Sequence, residues 1–525
     1  MKPLVANLTN FKIGSTVLRE KLAIRKEWLG GICKSVTRNA RLWTRSVLIL
    51  YVLLVTLTIY LAFMNWSSDD PFITYRYSDN IRHGLGFLYN PGERVLSTTT
   101  PLFALILALL GYVWQNVPDL AHFLSALSLA LGAICLWDLS RSYKTPFVGW
   151  ASLLLYPTFP LLLNTLGAET TLYLAFCLGS FTFYARQKYY ETAIFAALAV
   201  LTRPDGILVP IVITVDYLIK NLKIFRGTGT LRWKSFPWSA VIIFFLIAVP
   251  WFIFAWVYFG SPIPATLVAK HNQGALTGSQ RFGPGLLIIA SFYARYWYYW
   301  VEVFFAILGG VFMLWRWRRW SLMIVWMIVY FLAYSILGVS RYPWYYAPLV
   351  PSMVVLIGVG VEGLFWCLLS KIPIAIVKLQ QSLAICLLFV LAFCQIGNLL
   401  TLRQNSDIRY PIYRAIGDWL RIHTTPQDQV GALEVGIIGY YARRPMIDFA
   451  GLLQPQIAAQ LTPETNYETA AIWALEHYHP NYLVLVEGNF TRLEQNYVAQ
   501  QCQRVERFTG INYNYSGDIN IYACR

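Results

Sequence analysis

Two adjacent carboxylates, Asp69 and Asp70, follow the first long apolar stretch of the sequence directly, and Pro71 comes next. An apolar stretch of about 20 residues crosses a bilayer as a helix, so both acids sit where that helix meets water. Neighbouring ionised acids repel, which raises the pKa of one of them. A carboxylate tuned upward at a membrane surface is suited to take the proton of a hydroxyl. The plain alternative is that Asp70 caps a helix whose first position is Pro71. Capping accounts for one Asp and not for two. Two carboxylates are also oxygen ligands of the kind Mg²⁺ or Ca²⁺ takes. On a helix from Pro71, Ile73, Tyr77 and Ile81 recur at i, i+4 and i+8 and form a narrow apolar stripe, with Arg76, Asn80 and His83 on the next stripe. Such a helix lies flat, with the acids at its positive end and Arg76 one turn on.

The rest of the chain must hold this stretch at a membrane surface. Of its 525 residues 57% are hydrophobic and only 13% charged, which excludes a soluble enzyme and indicates a polytopic all-α membrane protein. The net charge of +16 is unevenly spread: residues 1–45 hold ten Lys/Arg against two acids, whereas residues 401–525 hold ten Arg, no Lys and twelve acids. The basic excess therefore marks cytoplasmic segments by the positive-inside rule and is no nucleic-acid footprint. The N-terminal region is too long, and lacks a small-residue cleavage site, to read as a removed signal peptide. Eight cysteines show no CxxC pair and no metal-finger spacing. Cys33 falls on the cytoplasmic side. Cys502 and Cys524 fall in a tail placed outside, where an oxidising compartment permits a disulfide that spacing alone does not establish.

Eleven spans are expected, near 46–66, 119–140, 147–165, 169–185, 191–202, 206–219, 238–258, 298–315, 321–338, 347–369 and 379–400. The apolar segment 99–114 decides the parity. If it lies in the interface, the basic loops 141–144, 186–188, 220–234, 316–319 and 371–378 all fall inside, and residues 67–118 form one outer loop with two interfacial helices. The expected organisation is a basic cytoplasmic region 1–45, a transmembrane domain 46–400 and an extracytoplasmic α/β domain 401–525. In that domain 429–434, 482–487, 503–509 and 518–524 read as strands, and 412–422 and 470–479 as helices.

Outer loops carry the other candidates: Glu169, Lys270, Arg341 and Tyr342. Glu169 at the start of a span also reads as a helix N-terminal acid. His271 is a lone polar residue and supports no metal site. Arg203 and Asp205, in the break Thr202-Arg203-Pro204-Asp205-Gly206, read as a mutual pair satisfying a turn. The tyrosines and tryptophans of 293–300 read as an interfacial belt.

The words Asp-Asp-x-Phe-Ile-Thr-x-Arg-Tyr-x-x-Asn, then Gly-x-Gly and Asn-Pro-Gly-Glu, together resemble the first outer loop of GT-C membrane glycosyltransferases. They are most similar to the mycobacterial terminal arabinofuranosyltransferases that use decaprenyl-phosphate arabinose. Gly167-Ala168-Glu169-Thr170, Leu201 to Gly206, Gly260 to Pro264 with Ala269-Lys270, and Gly436 to Leu452 match that pattern in order. The first motif is specific and the others are weak singly. The resemblance implies Asp69 and Asp70 as catalytic acids, and the motif positions Arg76, Tyr77, Asn80 and Glu93, with Glu169, as substrate contacts. It implies an inverting transfer of a sugar from a polyprenyl-phosphate donor to an envelope glycan, lipid or protein, at the outer face of the plasma membrane.

The chemistry agrees. Phosphate leaves well, so one base suffices, and Arg76, Lys270 and Arg341 are available cations for it. Asp70 is expected to be the main base, held by Pro71, with Asp69 its partner. No cofactor is required, and a divalent cation remains the alternative. A lipid-linked glycan flippase is the other class, because broken helices and membrane charges suit it, and a glycan ligase is the third.

Overall fold

The computed structural model describes residues 43–228, 236–369, 374–404 and 407–524. Most of the basic segment 1–45, with Cys33, lies outside them, as do 229–234 and 371–373 of two expected basic loops. The chain divides into two units, Met1–Val55 and Thr56–Arg525. In the first, residues 43–55 are helical.

Among the described residues, seven helices are long and apolar enough to cross a membrane: Trp43–Phe63, Val117–Tyr143, Trp238–Phe259, Trp297–Trp315, Arg318–Leu337, Pro343–Cys367 and Gln381–Asn398. The protein is a multi-pass membrane protein. Shorter apolar helices, Thr170–Ala185 and Tyr189–Thr202, occupy two further expected spans. The stretch 147–165 is divided into helices Pro146–Leu154 and Pro160–Leu163, because Pro157 and Pro160 lack the N–H that a continuous helix needs. The break after Thr202 is real: Arg203 is extended at φ −151°, ψ 139°, as the residue before a proline prefers, and a 3₁₀ turn Pro204–Ile207 follows.

Between the first two long helices lie helix Pro71–Arg82, the first-loop helix, and helix Pro101–Leu110. The latter's ten residues extend about 15 Å, half a bilayer core. The first-loop helix carries more than a narrow stripe. Every residue from Phe72 to Asp79 is buried, so it is packed on all sides.

The cause lies in the C-terminal domain. Its strands are β1 Val430–Ala432, β2 Met446–Asp448, β3 Tyr482–Val486, β4 Cys502–Phe508 and β5 Ile519–Cys524. They form one sheet in the order β2-β1-β3-β5-β4. β1 runs parallel to β2 and β3, and β5 is antiparallel to β3 and β4. Cys502 lies opposite Cys524 in register, and the two are disulfide-bonded. Phe72, Tyr75, Phe87 and Tyr89 of the first loop share one hydrophobic core with Ile412, Ile416, Ile437 and Met446 of the domain. These aromatic side chains of the first loop are therefore core residues of a loop–domain junction.

Candidate active site

Where the first loop, the segment 164–170 and helix Ala265–Ala275 meet, they enclose a cavity of about 490 Å³. Its charged lining is Asp70, Glu169, Arg203, Asp205 and Lys270, and Trp251, Trp344 and Tyr345 add aromatic faces. Much of the remaining wall is apolar, including Ile207, Leu208, Ile263, Leu267 and Leu337.

Asp70 and Lys270, 200 positions apart, meet here. Lys270 Nζ lies 3.2 Å from Asp70 Oδ2. The Asp70 side chain is 37% exposed and the Lys270 side chain 12%. The ammonium also lies over the Tyr342 ring, 4.2 Å from its centroid. Burial opposes its charge, but Asp70, Tyr342 and Tyr345 together outweigh burial and raise its pKa. Asp70 has helical dihedrals and makes no side-chain capping bond. It faces the cavity and is no cap.

Asp69 points the other way. It is 3% exposed, and its carboxylate accepts hydrogen bonds from the backbone N–H of Ile437 (2.8 Å) and of Gly436 (3.1 Å). Burial pushes its carboxyl above the ordinary range. The N–H of Ile437 and the charge of Arg409 pull it back, and the charge of Asp70 adds to the rise. The expected raised acid of the pair is thus the buried one.

A second cluster lines the cavity around Arg203. Its Nη1 donates to Glu169 Oε1 (3.0 Å), and its Nε and Nη2 donate to Asp205. Tyr334 Oη bonds Asp205 Oδ2 at 2.9 Å. The expected Arg203–Asp205 pair is present, but it also anchors Glu169 in the cavity wall, which the reading of a simple turn missed. The signal available was the polar break between two short spans. Thr74, Thr98 and Thr100 line another part of the wall, with their hydroxyls mutually bonded at 3.0–3.1 Å.

Other candidate substrate contacts lie elsewhere. Arg76 is 5% exposed and donates to the carbonyls of Tyr89 (3.1 Å), Gly439 (2.8 Å) and Arg444 (2.5 Å). It is a clamp between loop and domain, because its donors face those carbonyls and not the cavity. Tyr77 bonds Val95 and Ser97, and Asn80 bonds the carbonyls of Leu88 and Tyr89. Both brace the turn after the helix. Glu93 accepts from Asn90. Arg341 lays its aliphatic stem against Gly285 and its N–H bonds Gln280, outside the cavity lining. Tyr342 sits behind Lys270, stacked on Trp344 with centroids 4.5 Å apart. Among the described residues, no three His, Cys, Asp or Glu side chains come together to hold a metal ion.

A domain of unknown function, DUF8728, matches residues 401–522. By sequence, no curated protein matches the chain. By fold, the chain is similar to ArnT from Cupriavidus metallidurans, with a TM-score of 0.63 at 14% identity over 91% of this chain and 98% of that one. A second structure of that protein, bound to undecaprenyl phosphate, matches at 0.63 and 16% identity over 90% and 97%. The Archaeoglobus fulgidus oligosaccharyltransferase, tethered to an acceptor peptide, matches at 0.54 and 16% identity over 85% and 69%. The chain has the GT-C fold, as its first motif implies.

Proposed function

We propose that the protein is an inverting membrane glycosyltransferase that moves a sugar from a polyprenyl phosphate to an envelope glycan, lipid or protein. The observation that carries this reading is the Asp70–Lys270 pair in a cavity that is charged at one part and apolar over much of the rest. Asp70 accepts the proton of the acceptor hydroxyl as its oxygen bonds to the anomeric carbon. The bond from that carbon to the phosphate oxygen breaks on the opposite side, and the electron pair leaves with the polyprenyl phosphate. One displacement inverts the carbon. Lys270 meets the phosphate, and its charge is already held by Asp70 before the donor enters. The apolar wall takes the first part of the prenyl tail. No metal is needed where an ammonium supplies the positive charge.

The bound undecaprenyl phosphate of one structural neighbour supports a lipid-linked donor. The Cys502–Cys524 bridge supports an extracytoplasmic C-terminal domain. The sequence motif supports arabinofuranose as the sugar.

The test uses purified full-length protein with decaprenyl-phosphoryl arabinose and a synthetic arabinan acceptor, with decaprenyl-phosphoryl hexoses as a second arm. Asp70→Asn keeps shape and removes basicity, so turnover falls by about 10²–10⁴-fold while donor affinity stays near the parent value. Parental turnover in Asp70→Asn with a dead Glu169→Gln makes Glu169 the base. No consumption of any polyprenyl-phosphate sugar by the parent ends the reading.

A further inference from the structure

We infer that Asp69 is a positioning residue: its carboxylate latches the first loop onto the C-terminal domain and so sets how Asp70 enters the cavity. The inference rests on the reading of Asp70 as the base. Asp69 and Asp70 belong to one tight turn, in which the Asp69 carbonyl accepts from Phe72 N–H and the Asp70 carbonyl from Ile73 N–H. Fixing one carboxylate therefore fixes the direction of the other.

The partner surface is built for close approach. A Cβ at Gly436 would lie 2.1 Å from the Asp69 carbonyl oxygen and 2.6 Å from Oδ2. One at Gly439 would lie 1.9 Å from Tyr89 Oη and 3.0 Å from Arg76 Nη1. Only glycine admits a second chain at these distances. The same face carries further contacts. Asp79 Oδ2 pairs with Arg443 Nη2 at 3.2 Å, and Tyr89 Oη donates to the Val435 carbonyl at 2.6 Å. Asn90 bonds both the N–H and the carbonyl of Met446 at 2.9 Å.

The domain also grips the opposite wall. Asn272 and Gln273, on the helix that carries Lys270, donate to the carbonyls of Ala458 and Ala450, each at 2.9 Å. Both members of the Asp70–Lys270 pair are thus mounted on one body. The adjacent acids divide the work, one holding the mount and one facing the substrate.

The experiment compares the full-length parent with Asp69→Asn, Gly436→Ala and the double variant. Gly397→Ala is the control, because a Cβ there meets nothing within 4 Å. The two N–H groups bond different oxygens of Asp69, so Asn sets an NH2 donor against one of them, and Ala at 436 pushes on the same carboxylate from the domain side. With decaprenyl-phosphoryl arabinose as donor, each single substitution lowers kcat by up to about 10²-fold, the scale of a misplacement near 1 Å. The donor KM stays near the parent value. The double variant is no slower than the slower single, because both break one contact. The pH–rate profile keeps an acidic limb, because the catalytic base is still present.

Asp69→Asn preserves side-chain shape, so it still tests the latch if Gly436→Ala does not fold. Parental kcat in either single variant overturns the inference, as do losses that multiply in the double. Disappearance of the acidic limb in Asp69→Asn makes Asp69 itself the base and overturns it too. Failure of the underlying reading looks different: the parent then leaves the donor unconsumed, or Asp70→Asn is as fast as the parent.

Discussion

The same dozen residues of the first loop enter both the cavity wall and the loop–domain junction, and the two places use charge in opposite ways. In the cavity, Asp70 and Lys270 pair while keeping one partner a third exposed, so the pair can open toward a substrate. In the junction, Asp69 and Arg76 are almost wholly buried and hydrogen-bond to backbone N–H and carbonyl groups, with the Arg76 guanidinium over the Tyr89 ring. Asp70, the charge that is to react, keeps a charged partner and an exposed face. Asp69 and Arg76, the charges that hold, are closed in by backbone dipoles. Spacing along the first-loop helix does not separate the two kinds, because both sit within its first turns.

The comparison is broken most severely on the junction side. Arg76→Met keeps much of the stem and removes three hydrogen bonds from a buried cation; the Tyr89 carbonyl keeps Asn80 and the Gly439 carbonyl keeps the Arg443 N–H. Hydrogen bonds to a charged group contribute about 1.5–3 kcal/mol each, so a loss of about 3 kcal/mol or more is expected. Thermal unfolding of the purified protein, followed by intrinsic fluorescence, should show a large drop in Tm. If Tm holds and only donor affinity falls, Arg76 is a substrate contact and the division proposed here fails.

On the cavity side, Lys270→Met should spare Tm and weaken binding of decaprenyl phosphate. A hydrogen bond to a charged group contributes about 1.5–3 kcal/mol, or about 10–100-fold in Kd. The loss is increased by Asp70, whose negative charge is then uncompensated beside the phosphate. Equilibrium binding in detergent measures it. Unchanged affinity would remove Lys270 from the donor site.

Much of this architecture was legible in the sequence. Long apolar runs mark the long helices, and short segments between polar turns mark β1, β3, β4 and β5. Asp70, Lys270 and Glu169 were legible as well, because charge on the outer loops of an apolar chain is scarce. The direction of Asp69 was not legible. Its partners at Gly436 and Ile437 are 367 and 368 residues away, on a short helix that carries no cap signal. Arg76 was misplaced for the same reason: a cation one turn from two acids looks like a phosphate contact until its three distant carbonyls are known. Arg203 was judged from its neighbour Asp205 alone, so its link to Glu169, 34 residues earlier, stayed hidden.

A smaller effect tests the physics of the junction. Burial raises the Asp69 carboxyl above its ordinary value of 3.8 to about 6, against two N–H donors that favour the anion. An acid raised in the folded state binds more protons folded than unfolded. The stability it contributes is fully present below the unfolded value and is lost as pH rises through about 6. The Tm difference between parent and Asp69→Asn should therefore shrink as pH rises from 5 to 7 and be level above that. If it grows instead, the N–H donors outweigh burial and the latch is a full carboxylate at every pH.

The smallest expected effect falls on Arg341, the other cation named with Lys270 on outer loops. Both are cations close to aromatic residues, and sequence alone ranks them together. Lys270 enters the cavity from a helix tied to the C-terminal domain, whereas Arg341 lies along Gly285, with its own N–H bonded to Gln280. A guanidinium outside the cavity lining acts on a phosphate inside it only through a long path, where screening leaves little. Arg341→Ala should thus leave decaprenyl phosphate affinity within about twofold of the parent, a change of less than about 0.5 kcal/mol. The two substitutions measured side by side make the point sharper than either alone, since the charge removed is the same and only its placement differs. Equal losses in both would mean that the cavity closes around the donor in a way that brings Arg341 inward, and the static division between cavity and scaffold would have to be redrawn.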